Sequence, residues 1–136
     1  MQASIAKLSD YFFVVPDYQR EYVWKEDDEV EQFLQDIDNE VESGQSYFIG
    51  SIIIVKNNNG KYDVIDGQQR LTTIVLSLCA IRDLLSQIEL NESQDKILSK
   101  IKSLLYEYDL ETGKDNVRLE LQYPDSKDYL DCLINN

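Results

Sequence analysis

The sequence predicts an α/β (α+β) fold, and three observations carry that expectation. Polar and apolar residues alternate from Lys61 to Ile65, the period of a half-buried strand. From Leu71 the apolar positions switch to helical spacing, through Ile74/Val75, Leu78, Ile81, Leu85 and Ile88. Strand-like runs and helical stripes interchange along the rest of the 136 residues, and 43% of these are hydrophobic, enough to bury a real core.

Taken in order, Ser4 to Ser9 reads as a short helix whose good apolar positions are Ile5 and Leu8. Tyr11 to Val15 is a compact apolar run ending at Pro16, a strand entering a turn. Pro16 to Trp24 is dense in aromatics and hydrogen-bonding groups. Tyr18, Tyr22 and Trp24 alternate at even spacing, and the default role of such large aromatics is packing. Gln19 and Arg20, between them, are harder to explain as core. The next helix carries the stripe Val30, Phe33, Leu34, Ile37 and Val41, with Asp27 or Asp28 as its cap and Gly44 as its stop. Tyr47 to Val55, around Gly50-Ser51, is nearly continuous in apolar residues, as expected of a strand buried on both faces.

Asn57-Asn58-Asn59-Gly60 is a hairpin signal leading into Lys61 to Ile65. After the long helix, Asn91 caps another one carrying Ile97, Ile101, Leu104/Leu105 and Tyr108. Asp109 to Asn116 reads as a polar loop, Val117 to Leu121 as a strand, and Pro124-Asp125-Ser126 as the start of a last helix with Tyr129, Leu130 and Leu133. The pattern reaches Asn136 without a terminating signal. Residues 1–136 are therefore expected to be one domain at the front of a longer protein.

Composition narrows the function. Thirteen Lys and Arg against 26 Asp and Glu give a net charge of −13, which argues against gripping DNA through the general surface field. Glu26 to Glu42 holds nine carboxylates and no Lys or Arg, most simply a solvated helix face. The chain has no histidine, which excludes Ser-His-Asp and Cys-His catalysis and any HNH-type nuclease centre within these residues. Two cysteines without a motif, Cys79 and Cys132, suggest reduced thiols in a cytoplasmic protein. No apolar run is long enough to cross a bilayer, and no signal-peptide core follows a basic start.

Between strand and long helix lies Asp66-Gly67-Gln68-Gln69-Arg70, without an aliphatic side chain. Gly67 permits positive φ and close approach of a ligand. The first-turn amides of the helix have no intrahelical acceptor and form an anion site at the positive end of the dipole. Arg70 adds a planar cation suited to bidentate phosphate or carboxylate contacts. Asp66 can hold a magnesium ion or position a water. The chemistry suggested is phosphate recognition. A structural reading stands beside it, with Asp66 as N-cap and Arg70 paired to Asp66.

Two polar clusters together carry a resemblance. Val15-Pro16-Asp17-Tyr18-Gln19-Arg20-Glu21-Tyr22-Val23-Trp24, then Tyr47-Phe48-Ile49-Gly50-Ser51-Ile52, then Asp66-Gly67-Gln68-Gln69-Arg70-Leu71-Thr72-Thr73, closely resemble the N-terminal domain of GmrSD-type restriction and phage-defence proteins of bacteria, with their Asp-Gly-Gln-Gln-Arg signature. The resemblance covers nearly the whole chain. It implies a ParB/sulfiredoxin-like fold, a small mixed sheet flanked by helices, whose corresponding loop binds a nucleoside triphosphate in ParB-like relatives. It also implies nucleotide binding and hydrolysis with magnesium, controlling a separate C-terminal HNH-type nuclease that acts on modified DNA.

Carried over residue by residue, the implied nucleotide ligands are Gln19, Arg20, Asp66, Gly67, Gln68, Gln69, Arg70 and Thr72, with Gly50 and Ser51 at the position of a glycine turn. Asp66, Gln68 and Arg70 are the implied catalytic set, and Asp66 the implied metal ligand. The nuclease part is missing from this sequence. Sulfiredoxins need a reactive cysteine in the loop where this chain has Gln68 and Gln69, so thiol chemistry at this site is excluded. The expected function is thus a nucleotide-binding regulatory module, NTP-hydrolysing when whole. The alternative is a non-catalytic module reading modified DNA by stacking on Tyr18, Tyr22 and Trp24; an acidic interaction scaffold is a third reading. The oligomeric state stays open, a homo-oligomer included.

Overall fold

The computed structural model describes residues 3–41, 44, 48–123 and 126–135. In chain order they form a 3-10 helix (Ile5–Asp10), β1 (Phe13–Val15), a π-helical turn (Glu26–Val30) running into α1 (Glu31–Val41), β2 (Ile53–Lys56), β3 (Tyr62–Asp66), α2 (Gln68–Leu85), α3 (Glu92–Leu105), β4 (Tyr106–Asp109), β5 (Lys114–Val117), β6 (Leu119–Leu121) and α4 (Ser126–Ile134). β1 lies parallel to β3 on one side and to β6 on the other, and β2 joins antiparallel to β3, so the sheet runs β2-β3-β1-β6. The architecture is mixed α/β, as expected.

β1 holds the centre because Phe13, Val14 and Val15 suit a strand and Pro16 ends it. All three are buried, and Phe13 stands opposite both Tyr62 and Leu119. Phe13, Val15, Val64, Leu119 and Leu121 of the sheet meet Leu71, Val75 and Cys79 of α2, Ile101 and Leu105 of α3, and Leu130 and Ile134 of α4. Each Val, Leu, Ile or Phe among them contributes about 1.5–3 kcal/mol on full burial.

Two local signals form as expected. Asn57 Oδ1 accepts from the N–H groups of Asn59 and Lys61, closing the β2–β3 hairpin. Asn91 and Gln94 make a reciprocal capping box at the start of α3.

Elsewhere the structure corrects the sequence expectation. The apolar run around Gly50 yields only β2, an edge strand; Ile53 and Val55 are 52% and 55% exposed, not buried on both faces. Edge position depends on what lies beyond the strand, which its composition does not specify; Tyr47 falls outside the described residues. Neither Asp27 nor Asp28 caps the acidic helix. Instead the Glu29 carboxylate accepts the Lys25 N–H, and that bond holds its pKa below the usual range. The α1 stripe is not core: Val41 is 69% exposed, Leu34 is exposed, and Phe33 meets Trp24 at a ring-centroid distance of 5.7 Å.

α3 stops at Leu105, so Tyr108 belongs to a hairpin, β4–β5, that occupies most of the expected polar loop. The expected Val117 to Leu121 strand breaks at Arg118 between the two sheets. Arg118 Nε donates to Ser103 O at 3.0 Å, its guanidinium lies 4.5 Å over the Phe12 ring, and burial lowers its pKa. A second buried arginine, Arg82 of α2, donates to the Leu133 and Ile134 carbonyls at the end of α4. These are acceptors that the helix itself leaves open. Pro124 and Asp125, expected to open α4, lie outside the described residues.

Candidate functional site

Strand β3 delivers the chain to the start of α2 at the C-terminal ends of the parallel strands β1, β3 and β6. In open α/β sheets this is the end where ligands bind. Gly67 is the N-cap, with φ +90°, and has no side chain to cap with. The N-cap expected of Asp66 is therefore not made. The first backbone bond of the helix is Leu71 N–H to Gly67 O at 3.0 Å, so the amides of Gln68, Gln69 and Arg70 have no intrahelical acceptor. A Cβ at Gly67 would lie 2.8 Å from Ser51 O and 3.1 Å from Ile52 Cα. Glycine is thus required here by φ and by the approach of the chain itself.

That same approach brings Gly50 and Ser51 into the site. Arg70 Nη1 donates to Ser51 O at 3.0 Å, and a Cβ on Gly50, whose φ is +126°, would lie 2.3 Å from Arg70 Cζ. The guanidinium is seated on the Gly50-Ser51 turn, and among the described residues this is its one hydrogen bond. The Arg70–Asp66 ion pair of the structural reading is not formed. Asp66 is exposed at the end of β3, and its carboxylate has no hydrogen-bond or ion-pair partner among the described residues.

Gln69 has a different place from the ligand role implied for it. Its side chain is buried, its Oε1 accepts from Val23 N–H at 2.8 Å and Trp24 N–H at 3.3 Å, and its Nε2 donates to Glu21 O at 2.8 Å. One side chain thereby ties the first polar cluster to the second, 45 to 48 residues further along the chain. Tyr22 Oη and Thr73 Oγ1 share a hydrogen bond of 2.8 Å, and the Tyr123 hydroxyl donates to Arg20 O. Thr73 and Tyr123 were not singled out from the sequence. Thr73 hid inside the motif as an apparent repeat of Thr72, and no local signal marks Tyr123.

Arg20, Gln68, Gln69 and Thr72 share a narrow crevice with Val15, Tyr22, Leu121 and Tyr123. Arg20 is exposed at its mouth and Thr72 is buried. Burial pushes the Tyr123 phenol up, so it stays a donor at neutral pH. Gln19 closes a turn through its N–H to Pro16 O at 3.1 Å, and its side chain is not brought into this lining. Of the three aromatics, Tyr22 and Trp24 pack, while Tyr18 is 70% exposed. Stacking on a base is left to Tyr18.

Among the described residues no group of three His, Cys, Asp or Glu can hold a metal. A magnesium ion at Asp66 fits only if a ligand supplies most of the remaining oxygens, which is how magnesium commonly binds with phosphates. Cys79 lies in the core, where burial raises its pKa, and Cys132 is exposed on α4. Neither belongs to the site. No helix among the described residues is long and apolar enough to cross a membrane.

The fold is a mixed α/β domain in which a glycine-capped helix start lies beside Arg20, Arg70 and Asp66. The chain belongs to the family described as GmrSD restriction endonuclease, N-terminal domain, which it matches over residues 3–136. It is thereby part of a restriction enzyme, which implies a nuclease partner domain. No curated protein matches the sequence.

Proposed function

We propose that this chain is the nucleotide-binding regulatory domain of its restriction enzyme, NTP-hydrolysing with magnesium in the complete protein. The ParB/sulfiredoxin-like resemblance of the loop supports the same ligand. The observation that carries the reading is the convergence on one helix start: Arg20 from the first cluster, Arg70 on the Gly50-Ser51 turn, and three amides without an intrahelical acceptor. In this reading the amides and both arginines bind phosphate oxygens. Asp66 holds magnesium or orients the attacking water, and Gln68 and Thr72 contact the ligand from the crevice. Gln69 acts by positioning, since its amide holds the segment that carries Arg20. Phosphoryl transfer relies mainly on positioning and electrostatics, which these groups supply. Cleavage of modified DNA belongs to the HNH-type nuclease part.

The test is calorimetric titration with a nucleoside triphosphate, with and without magnesium, beside titration with modified and unmodified DNA in the same buffer. Saturable, magnesium-sensitive nucleotide binding is expected. Binding of modified DNA without any nucleotide binding would replace this reading with the DNA-reading module.

A further inference from the structure

A groove of about 480 Å³ lies next to the crevice, sharing Tyr22 with it, between the segment that precedes α1 and one face of α2. Its lining is Tyr22, Trp24, Glu26 and Val30 on one side and Thr73, Leu76, Ser77 and Ala80 on the other. Both walls continue beyond it as apolar stripes. On α2 the row Thr73, Leu76/Ser77, Ala80 reaches Leu84, which is 65% exposed; on α1 the row from Val30 reaches Leu34 and Val41, also exposed. On this face α2 presents Leu76, Ala80 and Leu84 beside the polar Thr73 and Ser77. The rim is predominantly acidic, with Lys25 its one cation among the residues of the turn and α1. Glu26, Asp27, Asp28 and Glu29 fill the turn at the groove, and α1 adds Glu31, Asp36, Asp38 and Glu40.

We propose that this groove docks a cationic amphipathic helix of a partner protein, laying its apolar face on Leu76, Ala80, Val30 and Trp24 and its Lys and Arg along the acidic rim. The α2 wall, with side chains at three- and four-residue spacing, accepts another helix as ridges into grooves, and Tyr22, Trp24 and Val30 form the opposite side. The charge selects the occupant. A second copy of this chain would bring another −13 against the first, with the same acidic helix at the contact. The proposal does not depend on the nucleotide reading, because neither Arg70 nor Asp66 belongs to the groove.

Trp24 is the only tryptophan of the chain and lines the groove, so its emission reports on occupancy directly. The probe is a synthetic Leu/Lys peptide of about 18 residues, five helical turns, with leucines on one face. The expected result is a saturable blue shift of Trp24 emission. A scrambled peptide of the same composition should bind at least about tenfold more weakly, since it lacks the apolar face. Ala80→Glu and, separately, Leu84→Glu place a carboxylate on the apolar wall and should each weaken the peptide at least about tenfold. Both positions are exposed, and circular dichroism verifies that the variants fold. Equal binding of the scrambled peptide, or of a Leu/Glu peptide with the same pattern, overturns the proposal. So does sedimentation showing self-association of the parent that Ala80→Glu abolishes, which would make a second copy the occupant.

Discussion

Replacing Gly50 by alanine should damage nucleotide binding through Arg70, although residue 50 would offer the ligand nothing new. The added Cβ would stand 2.3 Å from Arg70 Cζ, 2.5 Å from Nε and 2.7 Å from Nη1. Ordinary contact between such atoms is about 3.5–4.0 Å, so the guanidinium must move by roughly 1 Å and release Ser51 O. Holding alanine at φ +126° adds a strain of order 1–3 kcal/mol, which a domain of ordinary stability, about 5–15 kcal/mol, survives. A charge-assisted phosphate contact is worth about 1.5–3 kcal/mol, so losing it weakens affinity by roughly one to two orders of magnitude. Arg70→Ala should lose the same amount, and Arg70→Lys should restore only part of it because an ammonium lacks the planar fork. The double variant should then be little worse than Arg70→Ala alone, since both changes remove one contact. Calorimetric titration with a triphosphate and magnesium on the parent and the four variants reads this out. A folded Gly50→Ala that binds like the parent, or two losses that add, would refute the seating of Arg70 as the cause.

Four other outcomes are expected. Gln69→Ala strands the Val23 and Trp24 amides and should lower unfolding stability by about 1–3 kcal/mol in urea; Gln69→Glu, which sets a buried carboxylate oxygen against Glu21 O, should cost at least as much at pH 7. Asp66→Asn should keep much of the nucleotide affinity and abolish phosphate release, measured in the full-length protein if this chain turns over too slowly; undiminished release would remove Asp66 from the chemistry. Asp131 has a buried Oδ1 without a partner among the described residues, and burial raises its pKa in the folded state. Its ionisation therefore costs stability as pH rises through the folded pKa, so Asp131→Asn should raise Tm at pH 7 and lose that advantage as pH falls through the carboxylate range. Lastly, the purified chain should not cut DNA, since it has no histidine and, among the described residues, no cluster of metal-ligating side chains; cleavage persisting in Arg70→Ala would contradict this.

What could be read from the sequence was local. The Asn57–Gly60 turn, the Asn91 cap and the shift of period at Leu71 depend on neighbouring residues, and each formed in place. What failed depended on distant ones. β2 has the composition of a buried strand, but its position at the sheet edge leaves Ile53 and Val55 exposed. The alternation through Val117 to Leu121 is genuine, yet Arg118 turns inward between two sheets and divides it. The α1 stripe has good helical spacing and no core against it. In the site, the glycine at the helix start was legible, and its positive φ follows from the strand-to-helix turn. The role of Gln69 was not. An amide side chain in a polar loop looks like a ligand, and only the return of residues 21–24 to its side shows what it holds.

Amide chemical-shift mapping during titration with a triphosphate and magnesium locates the binding site most directly. If the two clusters form one phosphate site, the saturable shifts concentrate on Gly50, Ser51, the Gly67 to Arg70 turn, Arg20 and Thr72, and they leave the outer face of α2 near Ala80 and Leu84 unmoved. Saturable shifts confined to other surfaces, with the amides of Gln68, Gln69 and Arg70 unmoved at full occupancy, would show that the start of α2 is a structural turn and that the nucleotide binds elsewhere.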